Sequence, residues 1–165
     1  MVHIYNQNYM PHYFRSPGFC DSTFSNDAGK FSFSAIAEGH YNLLVWDSTE
    51  NKSVFIERIP VFADSSVTVS DILKRPGFLT GIATDMGGNN LLLSYVYIKG
   101  SPFYAVTRNS GEFSLGPLPA GVYKLAFFAN YLSAPGSSTA EPVMTPINET
   151  STVTVYPDSV SHWSW

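Results

Sequence analysis

Apolar and polar residues alternate in short stretches along the whole chain. In one stretch Phe31 and Phe33 alternate with serines, and the same period of two runs through residues 41–45, 66–69 and 121–125. Such a period places successive side chains on opposite faces of a β-strand. Turn signals rich in glycine, proline and asparagine separate the stretches about every 8–12 residues. The pattern predicts an all-β protein in which two sheets cover each other's apolar faces, as in a β-sandwich.

An internal repeat fixes how these strands are grouped. The repeated positions, each pair 82 residues apart, are Gly29 and Gly111, Phe31 and Phe113, Gly39 and Gly121, Tyr41 and Tyr123, and Leu43 and Leu125. Val-Thr-Val also recurs near the end of each copy, at residues 67–69 and 153–155, and we align these two segments. The repeat predicts two tandem units, and the breakers at residues 74–77 place the boundary between unit 1 (residues 1–75) and unit 2 (residues 76–165).

Unit 1 lacks a counterpart to the strand that opens unit 2. That strand is Phe-Leu-Thr-Gly-Ile at residues 78–82, and nothing before Val2 corresponds to it. Unit 1 also carries an insertion of 12 residues, because 27 positions separate Val2 from Gly29 whereas 15 separate Val96 from Gly111. A sandwich without one strand exposes a sheet edge and an open groove over its core, which proteins normally cover.

Three interpretations of this gap stay open. In the first, the chain is a piece of a longer repeat protein. In the second, the tail after Tyr156 or the aromatic loop at residues 9–14 fills the gap within the chain. In the third, a strand from another subunit completes unit 1, and a head-to-tail contact that does not close would then build filaments.

Four segments of unit 2 carry a resemblance to a known family. They are Gly-Ile-Ala-Thr-Asp at residues 81–85, Val-Tyr-Ile-Lys-Gly at 96–100, Thr-Arg-Asn-Ser-Gly-Glu-Phe at 107–113 and Leu-Pro-Ala-Gly-Val-Tyr at 118–123. With them, unit 2 resembles the carboxypeptidase regulatory-like domain, a seven-stranded sandwich of the prealbumin (transthyretin-like) type. The resemblance implies two tandem seven-strand-type Ig-like or prealbumin-like β-sandwiches, the first without its N-terminal strand. It also implies an extracellular or cell-surface, non-catalytic module, since such domains usually flank enzymes.

Composition and charge narrow the range of partners. The net charge is −4 and no Lys/Arg cluster exists to neutralise phosphates, which argues against nucleic acid. The longest apolar-leaning stretch, residues 91–98, is too short to cross a bilayer, so we expect no membrane insertion. No signal peptide is present in the chain as given. The single cysteine, Cys20, excludes an intrachain disulfide and is expected to be a buried thiol.

The sequence gives little evidence for a catalytic site or a metal site. The four histidines, His3, His12, His40 and His162, do not pair at a metal-ligand spacing. No G-x-S-x-G elbow is present, and the Tyr-Arg-Gly-Ser signature of the hydrolase that shares the transthyretin fold is absent. We therefore predict no enzyme activity, no metal and no cofactor.

The remaining candidates are contact residues. They are Val2, Ile4, Tyr9, Tyr13, Phe14, Trp163 and Trp165. One hypothesis is that they contact neighbouring domains or identical subunits, with the aromatic loop covering the open core and the tail docking on a neighbour. The alternative is a carbohydrate-binding module, because exposed aromatic rings on a sandwich stack on sugars and Trp163 and Trp165 would share one face of an extended tail.

Overall fold

The computed structural model describes residues 1–11, 20–85, 87–131, 143–147 and 152–163. The protein is all-β, as the alternation predicts, and the described residues contain no helix that could cross a membrane. The strands are β1 (Val2–Asn6), β2 (Cys20–Thr23), β3 (Gly39–Asp47), β4 (Lys52–Val61), β5 (Gly77–Ile82), β6 (Tyr95–Ile98), β7 (Tyr104–Val106), β8 (Glu112–Leu118), β9 (Gly121–Tyr131), β10 (Val143–Ile147), β11 (Thr152–Val155) and β12 (Val160–Trp163).

Unit 1 contributes one antiparallel sheet in the order β2-β1-β3-β4. Its buried apolar cluster is small and consists of Val2, Leu43 and Ile59. Five partly buried side chains pack against it, namely Phe31, Phe33, Val45, Ile56 and Val69. The sheet therefore covers one side of a core whose other side carries no second sheet within the described residues.

Unit 2 contributes two sheets. One has the order β10-β9-β6-β7 with β11 also on β9, and the other has the order β12-β5-β8. Inward-facing residues of both sheets form one large cluster, which includes Leu79 and Trp163 from one sheet and Val96 and Phe127 from the other. Two sheets packed face to face around a shared core have the layered arrangement of a sandwich.

Corresponding turns have the same geometry in both units. Gly29 and Gly111 have φ of 73° and 76°, in the left-handed region where a side chain would add strain. The N–H of each donates to a carbonyl three residues earlier, at 2.8 Å from Asn26 and 2.9 Å from Arg108. The repeated glycines are therefore explained as turn residues.

Both units also contain a tyrosine corner, in which the hydroxyl of a tyrosine near the start of a strand bonds a backbone carbonyl of the preceding turn. The Tyr123 hydroxyl donates to the Pro119 carbonyl at 2.6 Å, and the Tyr41 hydroxyl donates to the Ala37 carbonyl at 3.0 Å. Burial raises the pKa of Tyr123, with a smaller contribution from the carboxylate of Glu57, so the hydroxyl keeps its proton and stays a donor. The ring fills the core while its hydroxyl satisfies a carbonyl at the corner.

The two units also share their strand register. In unit 1, Val2 of β1 pairs with Val45 of β3, and Ile4 pairs with Leu43. In unit 2, the corresponding pairs between β6 and β9 are Val96 with Phe127 and Ile98 with Leu125. At the other edge, Ile59 and Val61 of β4 lie opposite Tyr41 and Gly39, whereas Val153 and Val155 of β11 lie opposite Tyr123 and Gly121. Residues 59–61 are therefore the counterpart of residues 153–155, at a separation of 94.

This register corrects the sequence alignment of the two Val-Thr-Val segments. At a separation of 94, residues 66–69 correspond to β12 and not to β11. Two details of the preceding turn agree: Asp64 and Asp158 have φ of 54° and 51°, and Ser65 and Ser159 each bond a carbonyl three residues earlier. Identical letters misled the alignment because Val-Thr-Val fits any exposed or half-buried strand position equally well.

Candidate functional site

Strand β5 is the centre of the three-stranded sheet in unit 2. It pairs in parallel with β12, where Leu79 lies opposite Ser161, and antiparallel with β8, where Leu79 lies opposite Leu115. Leu79 is fully buried in the core. Neither β8 nor β12 pairs with a described strand other than β5, so β5 supplies both the hydrogen bonds and a core side chain that hold this sheet together.

Among its described residues, unit 1 has two segments, the flanks, that align with β8 and β12, but no strand that aligns with β5. Residues 31–34 take the position of β8, and residues 66–69 take the position of β12, but neither segment is a strand. The strands predicted over residues 31–34 and 66–69 are therefore both wrong. The alternation is present, but a strand forms only where a neighbour accepts and donates its backbone hydrogen bonds.

The backbone of both flanks is open. Among the described residues, no backbone–backbone hydrogen bond involves residues 31–36 or 66–70. In unit 2 the matching residues 113–115 of β8 and 160–163 of β12 pair with β5. A strand placed between the flanks would thus find donors and acceptors on both sides. We name the space between residues 31–34 and 66–69 the open slot.

Apolar side chains line the open slot without being fully buried. Phe31, Phe33 and Val69 pack on the core of unit 1 and remain partly exposed, and Val67 is 43% exposed. Their counterparts Phe113, Leu115 and Trp163 are buried. We attribute the difference to the absent strand, because no described residue of unit 1 occupies the position of Leu79.

Val2 belongs to this core, and neither Val2 nor Ile4 lies at a free edge. They are 0% and 4% exposed, and β1 is paired on both sides, by β2 and by β3. The contact with a partner that we predicted for these residues stays a prediction. The structure places Val2 in the cluster beneath Phe31 and Phe33, so a strand that filled the slot would cover this cluster.

The start of the aromatic loop joins the two units. The N–H of Gly100 donates to the Tyr9 carbonyl at 2.8 Å, and the Tyr9 ring lies 5.0 Å from that of Tyr5. Met10 packs on a cluster on the outer face of unit 2 that contains Tyr97 and Phe128. The described part of the loop is thus placed on unit 2 and away from the open slot, while Tyr13 and Phe14 lie outside the described residues.

Asn42 makes a second connection between the units. Its Nδ2 donates to the Gly100 carbonyl at 3.0 Å, and its Oδ1 accepts from the Arg58 N–H at 2.9 Å. The side chain is buried. Close by, the Phe55 ring stacks on Tyr123 and meets Phe103 edge-on, both at 6.2 Å. Polar and aromatic contacts together fix unit 1 against unit 2.

Replacing Asn42 with alanine is expected to cost about 1–3 kcal/mol, because the buried Gly100 carbonyl and the partly buried Arg58 N–H lose their partner. Since one of those groups belongs to unit 2, the two units should also unfold less cooperatively. Calorimetry of the variant should show a broadened or split transition. The exposed Asn8→Ala control should change stability by less than about 0.5 kcal/mol. A single, unshifted transition for Asn42→Ala would contradict this assignment.

The C-terminal tail completes unit 2 and not unit 1. Residues 160–163 form β12, which pairs in parallel with β5, so the tail does not fill the gap of unit 1. Trp163 is 6% exposed and its ring packs on Phe113 and Phe127. It has no open face for a sugar. Trp165 lies outside the described residues.

An open groove of about 640 Å³ runs beside this tail. Its lining includes Arg108, Glu112 and His162, together with Phe113 and Trp163. Both aromatic residues are buried, so neither offers an open ring face that could stack on a sugar. Within the described ranges, no three His, Cys, Asp or Glu side chains are grouped to hold a metal ion.

Sequence reasoning found the gap in unit 1 but missed one wall of the slot. The missed wall is residues 66–69. The signal that identifies it is the turn before it, Phe-Ala-Asp-Ser at 62–65 against Tyr-Pro-Asp-Ser at 156–159. In both segments an aromatic residue is followed, after one intervening residue, by Asp-Ser. The two copies of this motif are 94 residues apart, whereas the repeated glycines and tyrosines are 82 residues apart.

A comparison of the chain with models of known families, with curated proteins and with solved structures found no match.

Proposed function

We propose that the chain is a non-catalytic structural and assembly module of an extracellular or cell-surface protein. Its two units are tandem sandwiches of the Ig-like or prealbumin-like type, similar to carboxypeptidase regulatory-like domains. Unit 2 is the complete scaffold. Unit 1 is the acceptor, and a strand from a neighbouring domain or an identical subunit completes it. Where identical subunits supply that strand, head-to-tail contacts build filaments.

One observation carries this proposal. Residues 31–34 and 66–69, which the register aligns with β8 and β12, make no backbone–backbone hydrogen bond among the described residues, and their apolar side chains Phe31, Phe33 and Val69 pack on the same core while only partly buried. Unpaired strand edges over an apolar core are templates for pairing with another chain. Peptide recognition by strand addition takes affinity from main-chain bonds and specificity from pockets for alternate side chains.

Completing unit 1 within the chain tests whether the slot accepts a strand. Residues 76–95 would be copied in front of Val2, because in unit 2 these residues run from β5 to the position before Val96. The extended protein should melt at a temperature higher by roughly 10 °C, since burying a leucine and new backbone bonds adds a few kcal/mol. A scrambled extension of the same composition is the control.

The outcome against the proposal is equally defined. If the extension leaves both the melting temperature and the hydrogen exchange of residues 31–36 and 66–70 unchanged, the slot does not accept a strand. Size-exclusion chromatography and negative-stain microscopy of the original chain then test whether identical subunits supply the strand. Oligomers that the extension abolishes support them as donors, whereas a stable monomer with residues 1–75 protected from exchange contradicts polymerisation.

A further inference from the structure

We infer that the partner of unit 1 is an extended segment of another polypeptide with a large aliphatic residue, then glycine two positions later. It runs parallel to residues 66–69 and antiparallel to residues 31–34. This inference rests on the proposed function and specifies the chemistry of the donor. The template is β5, which occupies the equivalent position between β12 and β8.

The direction of the donor follows from the pairing of β5. In unit 2, Phe78 lies opposite Val160 and Gly81 opposite Trp163, so β5 and β12 run the same way. Transferred to unit 1, the first donor residue lies opposite Ser66 and the fourth opposite Val69. On the other side, Leu79 lies opposite Leu115 and Gly81 opposite Phe113. The matching positions in unit 1 are Phe33 and Phe31.

The large aliphatic residue is required by the core. Leu79 is 0% exposed and belongs to the central cluster of unit 2. Its counterpart in unit 1 would lie between Phe33 and Val67, above Val2 and Leu43. These neighbours are apolar, and burial of a leucine-sized side chain contributes about 1.5–3 kcal/mol. A polar residue there would lose its hydration without gaining a partner.

Glycine two residues later is required by close packing. A Cβ added at Gly81 would lie 2.6 Å from the Trp163 carbonyl oxygen and 2.9 Å from Cε1 of Phe113. Both neighbours have counterparts in unit 1, since Phe31 repeats Phe113 and Val69 takes the position of Trp163. The carbonyl belongs to the backbone and has little freedom to move. A β-branched residue at this donor position therefore clashes.

The β5 of a second copy is not available as this donor. It is already paired on both sides and contributes Leu79 to its own core. Exchanging it would open one unit to close another, with no gain in buried surface. A donor from another polypeptide therefore uses a segment other than β5 that carries the same pattern.

A synthetic peptide with the sequence of residues 76–85 tests the inference directly. It carries a fluorophore, and fluorescence anisotropy measures its binding to the unmodified chain. Peptides with Leu79→Ser and Gly81→Val are the matched controls, and each should bind at least about ten-fold more weakly, the equivalent of about 1.4 kcal/mol. Bound peptide should slow exchange at residues 31–36 and 66–70 and leave β8 and β12 unchanged.

A spin label on the peptide checks its direction. At the N-terminus it should broaden the amide signals of Ser66 and Ser34 more than those of Val69 and Lys30. Equal binding of all three peptides, or the opposite broadening, overturns the inference. If no peptide binds while the copied extension still protects unit 1, a separate polypeptide with this pattern is not the partner, and the inference fails while the proposed function stands. If neither protects unit 1, both fail.

Discussion

Replacing Trp163 with alanine is expected to lower the free energy of unfolding of unit 2 by about 3–5 kcal/mol, the range for large aromatic residues in cores. The indole is 6% exposed and lies 5.1 Å from the ring of Phe127 and 5.9 Å from that of Phe113. Alanine would leave a cavity between two sheets. It would also remove the large apolar side chain that holds β12 on the core, so that β12 would be held mainly by its pairing with β5.

The same position in unit 1 provides the matched comparison. Val69 corresponds to Trp163 but is only partly buried, so Val69→Ala is expected to cost about 1 kcal/mol or less. Urea titration followed by circular dichroism measures both variants. A loss below about 1 kcal/mol for Trp163→Ala would show that the tail is not part of the core. A loss for Val69→Ala as large as that for Trp163→Ala would show that unit 1 is already closed.

Amide hydrogens at residues 31–36 and 66–70 should exchange about a thousand-fold or more faster than those in the paired positions of β8 and β12. Amides in a core strand exchange only after the strand opens, and this opening costs up to the full free energy of unfolding. A cost of about 5 kcal/mol slows exchange by more than three powers of ten. The open flanks make no backbone–backbone hydrogen bond to any described residue. Their amides therefore exchange without any such opening.

Native-state exchange read by NMR or mass spectrometry makes this comparison within one sample. Paired strands of unit 1 serve as the internal control, because β1 and β3 should be protected even though the flanks are not. Fast exchange throughout unit 1 would mean that its sheet is itself unstable. Equal protection of the flanks and of β8 would mean that something already fills the slot.

Local features of this protein could be read from its residues. The glycines at 29 and 111 were predicted as turn positions, and both adopt left-handed backbone there. Tyrosines 41 and 123 were predicted to correspond in the repeat, and both hydroxyls donate to a carbonyl four residues earlier. Such features depend on contacts within a few residues, where backbone sterics and short-range hydrogen bonds decide the conformation.

Features that depend on distant partners could not be read in the same way. Residues 66–69 and 160–163 hold matching places in the two units, yet only the second segment is a strand. The difference is the presence of β5, which lies 82 positions before β12 at their paired residues Phe78 and Val160. Likewise, the sequence predicted that Trp163 is an exposed residue of the C-terminal tail. Only the parallel pairing of β12 with β5 brings its ring into the core.

By itself the sequence determined the all-β class, the repeated positions and the turns, because alternating side chains and glycines encode these locally. Only the tertiary structure decided which segments pair, because strand pairing joins residues that are far apart in the chain. Its register aligns residues 31–34 with β8 and residues 66–69 with β12, and neither segment makes a backbone–backbone hydrogen bond among the described residues.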